Sequence, residues 1–167
     1  ADAFTSEFLE MLHHDREILE QLNADWEKEN DDPKFDKFQE NLTHNFFDKE
    51  INPSGKLVLF SESVDTLNYL YDRLTKEIGR SDVLMVTAAN RNRLEQTIKE
   101  NFDANFDSDS MRYNIIITSD VLAEGVNLHR SNVIVNYDSP WNATRLMQRI
   151  GRVNRIGSVA PNIYNYM

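Results

Sequence analysis

Hydrophobic residues along the chain follow two kinds of pattern, and the change between them comes near residue 55. Before it, Phe8, Leu12, Leu19, Leu22 and Trp26 recur at helical spacing with charges between them, which predicts an amphipathic helix over residues 5–30. Asp31-Asp32-Pro33 interrupts that pattern. Phe35, Phe38, Leu42 and Phe46 then mark a second helix over 34–50, which Asn52-Pro53-Ser54-Gly55 ends. Trp26 and the phenylalanines at this spacing read as core residues.

From Lys56 the apolar residues come in short unbroken runs: KLVLF (56–60), DVLMV (82–86), YNIIIT (113–118) and NVIVN (132–136). Runs that do not alternate suit strands covered on both faces. Between them, Val64, Leu67, Leu70, Leu74 and Ile78 make one helical stripe, and Leu94, Ile98, Phe102 and Phe106 another. The final NIYNYM (162–167) reads as a further apolar strand. Strand alternating with helix predicts right-handed βαβ units. The expected fold is therefore α/β, a three-layer parallel sheet over 55–167 with an N-terminal helical extension over 1–54. Ligands of such sheets gather beyond the carboxyl ends of the strands. That rule puts SES (61–63), TAANRN (87–92), SDVLAEGVNLHR (119–130) and YDSPWNATRLMQRIGRVNRIG (137–157) on one rim.

Composition bounds the picture without changing it. With 167 residues, 40% of them hydrophobic, there is material for one domain with a real core plus an appendage. There is no cysteine, so disulfides and thiolate metal sites are excluded, which suits a reducing cytoplasm as the expected location. The apolar runs are far too short to span a bilayer, and no membrane partner is expected. The chain opens with Ala1 and closes on an apolar segment, and it reads as a piece of a longer protein.

Charge does change the picture. Residues 1–50 hold 5 Lys/Arg against 15 Asp/Glu, which accounts for the whole formal net charge of -10. Residues 51–167 hold 13 of each sign, and from Ser139 onward there are four arginines (Arg145, Arg149, Arg152, Arg155) and no acid. An acidic protein with one arginine-only segment points to a local phosphate or nucleic-acid contact. In that segment Pro140-Trp141-Asn142 can start a helix running over 143–150, from which Arg145, Arg149 and Arg152 would project on neighbouring faces. Arginine recognises phosphate through a planar, permanently charged fork. Gly151 leaves room for a close approach, and Gly157 suits the end of the turn. Spacing alone leaves open a solvated basic helix end, or one salt-bridged to the acidic extension.

TSDVLAEGVNL (118–128) runs from a strand straight into hydroxyls and a carboxylate, with Gly125 able to take a turn closed to other residues. Asp120 and Glu124 could form an acid/base pair, or Ser119 or Asp120 could cap a short helix. There is no GxxxxGK[ST] loop and no strand-borne Asp-Glu pair for magnesium, so the chain holds no complete nucleotide site. His13 and His14 lie on a charged helix, His44 and His129 are isolated, and no metal site is expected. No nucleophile elbow is present.

GKLVLFSES (55–63), IIITSDVLAEGVNL (115–128) and QRIGRVNRIG (148–157) resemble motifs IV, V and VI of superfamily 2 helicases and translocases, in order and at suitable separations. The likeness is nearest to the Swi/Snf-like branch and its bacterial relatives. NVIVNYDSPWNATRLMQRIGR resembles the run into motif VI, and the likeness covers 55–167. It implies the second, C-terminal RecA-like domain of a two-domain P-loop NTPase motor. ATP and Mg2+ would be bound mainly by the N-terminal RecA-like domain, with nucleic acid, expected to be DNA, as the track. On the matching positions it implies Arg155 as arginine finger and Arg152 as its γ-phosphate partner, with Gln148 ordering the segment. Gly125 and Asp120 would lie near the nucleotide or couple it to motif VI. Ser61, Thr118 and Ser119 would face the nucleic-acid backbone. The full-length protein would be an ATP hydrolase and this piece alone inactive. The alternative is a non-catalytic RecA-like module that binds nucleic acid or protein, and a flavodoxin-like domain fits the motif order poorly. Asn154 departs from the histidine or acid common in that branch, and residues 1–50 carry no motif of the family.

Overall fold

Every apolar run becomes a strand of four residues or fewer in the computed structural model, which describes residues 5–29, 31–108, 112–122 and 125–167. The chain divides into two compact units, residues 1–39 and 40–167. The division falls before the expected boundary at 54/55 because the segment after the second helix is tied to the sheet. Asn52 Nδ2 donates to the carbonyls of Phe46 (2.8 Å) and Lys56 (3.0 Å), Asn132 Nδ2 donates to Ile51 O (2.6 Å), and the Phe46 ring lies 4.8 Å from that of Tyr166.

In the first unit α1 spans Ser6–Trp26, begun by Thr5, whose hydroxyl accepts from Phe8 N. None of its residues is buried, and Trp26 is 81% exposed. This corrects the expectation that Trp26 belongs to a core: periodicity marks an apolar face but does not say what covers it. α2 (Pro33–His44) has proline in its first turn, with Asp32 Oδ1 accepting from Phe35 N at 2.9 Å. It stops six residues short of the expected end. There Asn45 N and Phe46 N both turn to Asn41 O, and Asp48 Oδ1 takes Glu50 N, a local bond that competes with the helix.

The sheet of the second unit comprises β1 (Leu57–Phe60), β2 (Val83–Val86), β3 (Ile115–Thr118), β4 (Val133–Asn136) and β5 (Tyr164–Tyr166). All are parallel, in the order β2-β3-β1-β4-β5. Residue parity divides the side chains between two faces. Val58, Phe60, Leu84, Val86, Ile116 and Ile134 pack with Ile98 and Phe102 of α4 (Arg91–Phe102) and Val153 of α5 (Ala143–Val153). The opposite face carries Leu57, Leu59, Ile115 and Ile117, all fully buried, and α3 (Val64–Asp72) contacts β2 and β3. The stripe expected to continue to Ile78 ends in a π-helical turn, Arg73–Glu77, and Phe106 falls beyond α4.

Register sets up the functional rim. Phe60 pairs with both Thr118 and Asn136, and Val86 with Thr118, so four strands end level. The next residues, Ser61, Thr87, Ser119 and Tyr137, therefore share one edge.

At the opposite edge, Lys56 is fully buried, its ammonium donating to Tyr113 O (2.5 Å) and Asn114 Oδ1 (3.2 Å). Burial, aided by the charge of Arg130 and opposed by Asp82, lowers its pKa from 10.5 to about 8. Across pH 8 to 10.5 the unfolded chain holds a proton that the folded chain has lost, so this group makes stability rise with pH in that window. Relative to Lys56→Met, the native chain should gain ~2–3 kcal/mol across it. Urea titrations at each pH measure the difference, and parallel curves would refute the assignment.

Candidate functional site

α5 organises the rim. Asn142 Oδ1 accepts from Arg145 N at 3.0 Å and starts the helix. Ile150 and Val153 pack on the core cluster. Arg149 shares that inward side and is fully buried, although its spacing from Arg145 and Arg152 suggested three outward cations. Its Nε donates to Asp120 Oδ1 at 2.6 Å and its Nη1 to Asn136 Oδ1 at 3.1 Å, and the guanidinium carbon lies 5.1 Å from the Phe60 ring. Arg145, half exposed, donates to the other Asp120 oxygen and to Glu62 Oε1, both at 3.2 Å. One carboxylate thus joins two arginines and binds α5 to the turn after β3. Asp120 is engaged within the domain, and Glu124 lies outside the described residues.

Of the three hydroxyls expected at a nucleic-acid backbone, the structure leaves one accessible. Ser61 is fully buried and its Oγ donates to Asp138 Oδ2, while its lone pair accepts from Ser63 N at 3.3 Å. Thr118 is also fully buried, with Oγ1 donating to Ser119 O at 3.1 Å. The reason for the correction differs between them: Thr118 is the last residue of β3 and lies between β1 and β2, whereas Ser61, one residue beyond β1, is buried by its own bonds, its N–H donating to Thr118 O at 3.0 Å and its hydroxyl to Asp138. Ser119, one residue further, is half-buried.

A second cluster forms where the loop after β3 meets the end of α5. Gly125 has φ +78°, a turn that favours glycine, and the Arg91 guanidinium lies close over it, 2.6 Å from where a Cβ would sit. Leu128 N donates to Arg152 O at 2.9 Å. Arg155 is exposed; its Nη1 donates to Asn127 Oδ1 and its Nε to Gly151 O at 3.3 Å. Asn127 Nδ2 in turn donates to Asp103 Oδ2 at 3.2 Å. His129 is buried behind this cluster with Nδ1 3.7 Å from Asp103 Oδ1. Burial lowers its pKa, and Arg155 and Arg130 add to the effect against the pull of Asp103. Gln148 is on the exposed face of α5, and Gly151 has open space where a Cβ would sit. Asn154 caps α5, its N–H donating to Ile150 O at 2.8 Å, and Gly157 at φ +91° turns the chain away.

The loop after β3 therefore bonds to Arg155 at Asn127, two residues past Gly125, and to the backbone of Arg152 at Leu128, while Asp120 is bonded to Arg145 and Arg149. Sequence reasoning missed four participants: Arg149 as a buried clamp, Asp138, Arg91 and Asn127. Arg91 had a signal, since it follows β2 on the predicted rim. Asn127 had none, because an asparagine in a loop is common.

The sequence matches the helicase conserved C-terminal domain over residues 33–157. Among curated proteins it is 46% identical over 52 residues to the uncharacterized ATP-dependent helicase YqhH of Bacillus subtilis, covering 30% of this chain and 9% of that protein. It is 29% identical over 117 residues to the ATP-dependent RNA helicase DBP5 of Debaryomyces hansenii, covering 65% and 22%. The chain thus spans less than a quarter of the length of these relatives. Among solved structures, the C-terminal part of the Fun30 ATPase domain shares the fold with a TM-score of 0.62 at 21% identity, over 80% of this chain and 39% of that one. S. cerevisiae Dbp5, solved bound to RNA and ADP BeF3, aligns with a TM-score of 0.57 at 26% identity, over 80% and 31%. The parallel sheet, its rim of level strand ends and the match over 33–157 together assign this chain to the helicase conserved C-terminal domain family, with the RecA-like fold of superfamily 2 motors.

Proposed function

We propose that the chain is the second motor domain of an ATP-dependent nucleic-acid helicase or translocase, contributing Arg152 and Arg155 to an ATP site shared with another RecA-like domain. The observation that carries this reading is the cationic cradle at the loop after β3: Arg91 lies over Gly125, and Arg155 is held on Asn127 two residues away. A glycine turn flanked by guanidinium groups fits a phosphate, which several N–H donors can approach without steric hindrance. Magnesium does not fit this chain alone, since no group of three or more His, Asp or Glu residues suited to a metal occurs among the described residues. Its ligands would come from the other domain and the nucleotide.

ATP bound between the domains supplies a γ-phosphoryl group for transfer to water, a reaction in which negative charge spreads over the phosphate oxygens. Arg155 and Arg152 stabilise that charge only when the two domains are closed, which couples turnover to movement. Asp120 and Arg149 keep α5 fixed on the sheet, so that the arginines move with the domain. Gln148, on the exposed face of α5, is available to the facing domain. Ser119 is the rim hydroxyl available to a nucleic-acid backbone, which Ser61 and Thr118 reach only indirectly through the turns they hold.

We take DNA as the track, whereas DBP5 is named an RNA helicase. ATP turnover of the full-length protein, measured alone, with DNA and with RNA, tests the reading. Stimulation by DNA is expected, and no turnover by the 167-residue chain. Stimulation by RNA only would reassign the track. Absence of turnover with either would overturn the motor and leave a binding module.

A further inference from the structure

We propose that Asn127 is a positioning residue for Arg155, aiming its guanidinium through a three-residue relay that begins at Asp103. The inference rests on the reading of Arg155 as an arginine finger and adds what holds that finger in place.

Arg155 lies beyond the last turn of α5, where the helix no longer fixes side-chain direction. Its backbone N–H donates to Ser158 Oγ at 3.1 Å and to Val153 O at 3.1 Å, which fixes the main chain only. The side chain is fixed separately, by Asn127 Oδ1 at Nη1 and by Gly151 O at Nε. Asn127 is itself anchored through Nδ2 to Asp103 Oδ2. Asp103 ends α4, is 9% exposed, and uses its other carboxylate oxygen to accept from Asn105 N at 2.9 Å. The relay therefore runs from the end of α4, through the loop after β3, to the segment after α5.

The chemistry selects an amide at position 127. It must accept from a guanidinium on one side and donate to a carboxylate on the other, and an asparagine carboxamide places those two functions on separate atoms at the end of a short side chain. A guanidinium carries five N–H donors. Two are engaged in holding Arg155, at Nε and Nη1, so Nη2 and the second Nη1 hydrogen stay available for phosphate. The finger is thus preorganised and does not have to break its anchor to act. A side chain as long as arginine otherwise samples many rotamers, and misplacement by about 1 Å costs on the order of 10²-fold in rate.

The test is steady-state ATP turnover by the full-length protein. Asn127→Ala is expected to lower kcat by about 10- to 100-fold with little change in KM for ATP. In an Arg155→Ala background the same change should have no further effect, because nothing remains to be aimed. Exchanging the two groups, with Asn127→Asp and Asp103→Asn together, keeps an acceptor for Arg155 and a donor–acceptor pair behind it. That double variant should recover most of the rate that Asn127→Asp alone loses, which also guards against a simple folding defect. Equal losses in both backgrounds, or unchanged kcat in Asn127→Ala, would overturn the relay. If Arg155→Ala itself turns over normally, the finger reading fails and the relay with it. If Arg155→Ala is slow and Asn127→Ala is not, only the relay fails.

Discussion

Full-length protein carrying Arg155→Ala should hydrolyse ATP about 10³-fold more slowly than wild type in the presence of nucleic acid. The charge that develops on a transferring phosphoryl group is large, and a guanidinium aimed at it in a closed, water-poor interface stabilises the transition state far more than the ground state. The loss should accordingly appear in kcat rather than KM. Arg155→Lys should recover little, since an ammonium lacks both the planar fork and an Nε–H for Gly151 O. Nucleic-acid binding should be unchanged, because Arg155 is held at Asn127 and, in the proposed motor, meets the nucleotide rather than the track. The Arg155→Ala measurement separates the motor from the binding module: a loss smaller than tenfold would remove Arg155 from the machinery.

The 167-residue chain carrying Asp120→Ala should lose about 4 kcal/mol of folding stability, read as a lower urea midpoint at an unchanged slope. Arg149 is fully buried, and Asp120 is the carboxylate that neutralises it at 2.6 Å. Without that partner, a guanidinium is left inside the domain with only Asn136 Oδ1 and the Phe60 ring beside it. Removing one partner of a buried ion pair costs more than the pair contributes, because the uncompensated charge stays desolvated. Arg145 offers the contrast. It meets the same carboxylate at 3.2 Å with its side chain 50% exposed, so solvent screens the pair and Arg145→Ala should cost under about 1 kcal/mol. Similar losses for the two variants would mean that Arg149 is not the buried member of this clamp.

Much of the sheet was legible because strand burial leaves a mark on the sequence. KLVLF, YNIIIT and NVIVN are apolar at consecutive positions, which only a strand covered on both faces tolerates, and each became a fully buried parallel strand. The rim was legible through the same logic, since polar, glycine-bearing segments follow those strands. Helix ends were less so. α2 stopped at His44 rather than 50 because Phe46 N turns to the Asn41 carbonyl and the Asp48 side chain takes Glu50 N, a competition between local hydrogen bonds that apolar spacing does not record.

Sequence by itself determined the fold class, the family and the presence of an arginine segment beside a glycine-bearing loop, because these depend on periodicity and on residue types in order. Only the tertiary structure decided what each side chain of that segment does. Arg145, Arg149, Arg152 and Arg155 are chemically identical, yet one is buried against Asp120 and Phe60 and another is exposed and held by Asn127. Ser61 and Thr118 carry hydroxyls like that of Ser119, but Thr118 is enclosed between paired strands and Ser61 is buried on Asp138, while Ser119 is left half-buried. The physical reason is that burial and hydrogen-bond partners are set by strand order and by the angle at which α5 meets the sheet. Those quantities bring together residues as far apart as Asp103, Asn127 and Arg155, and no local pattern encodes them.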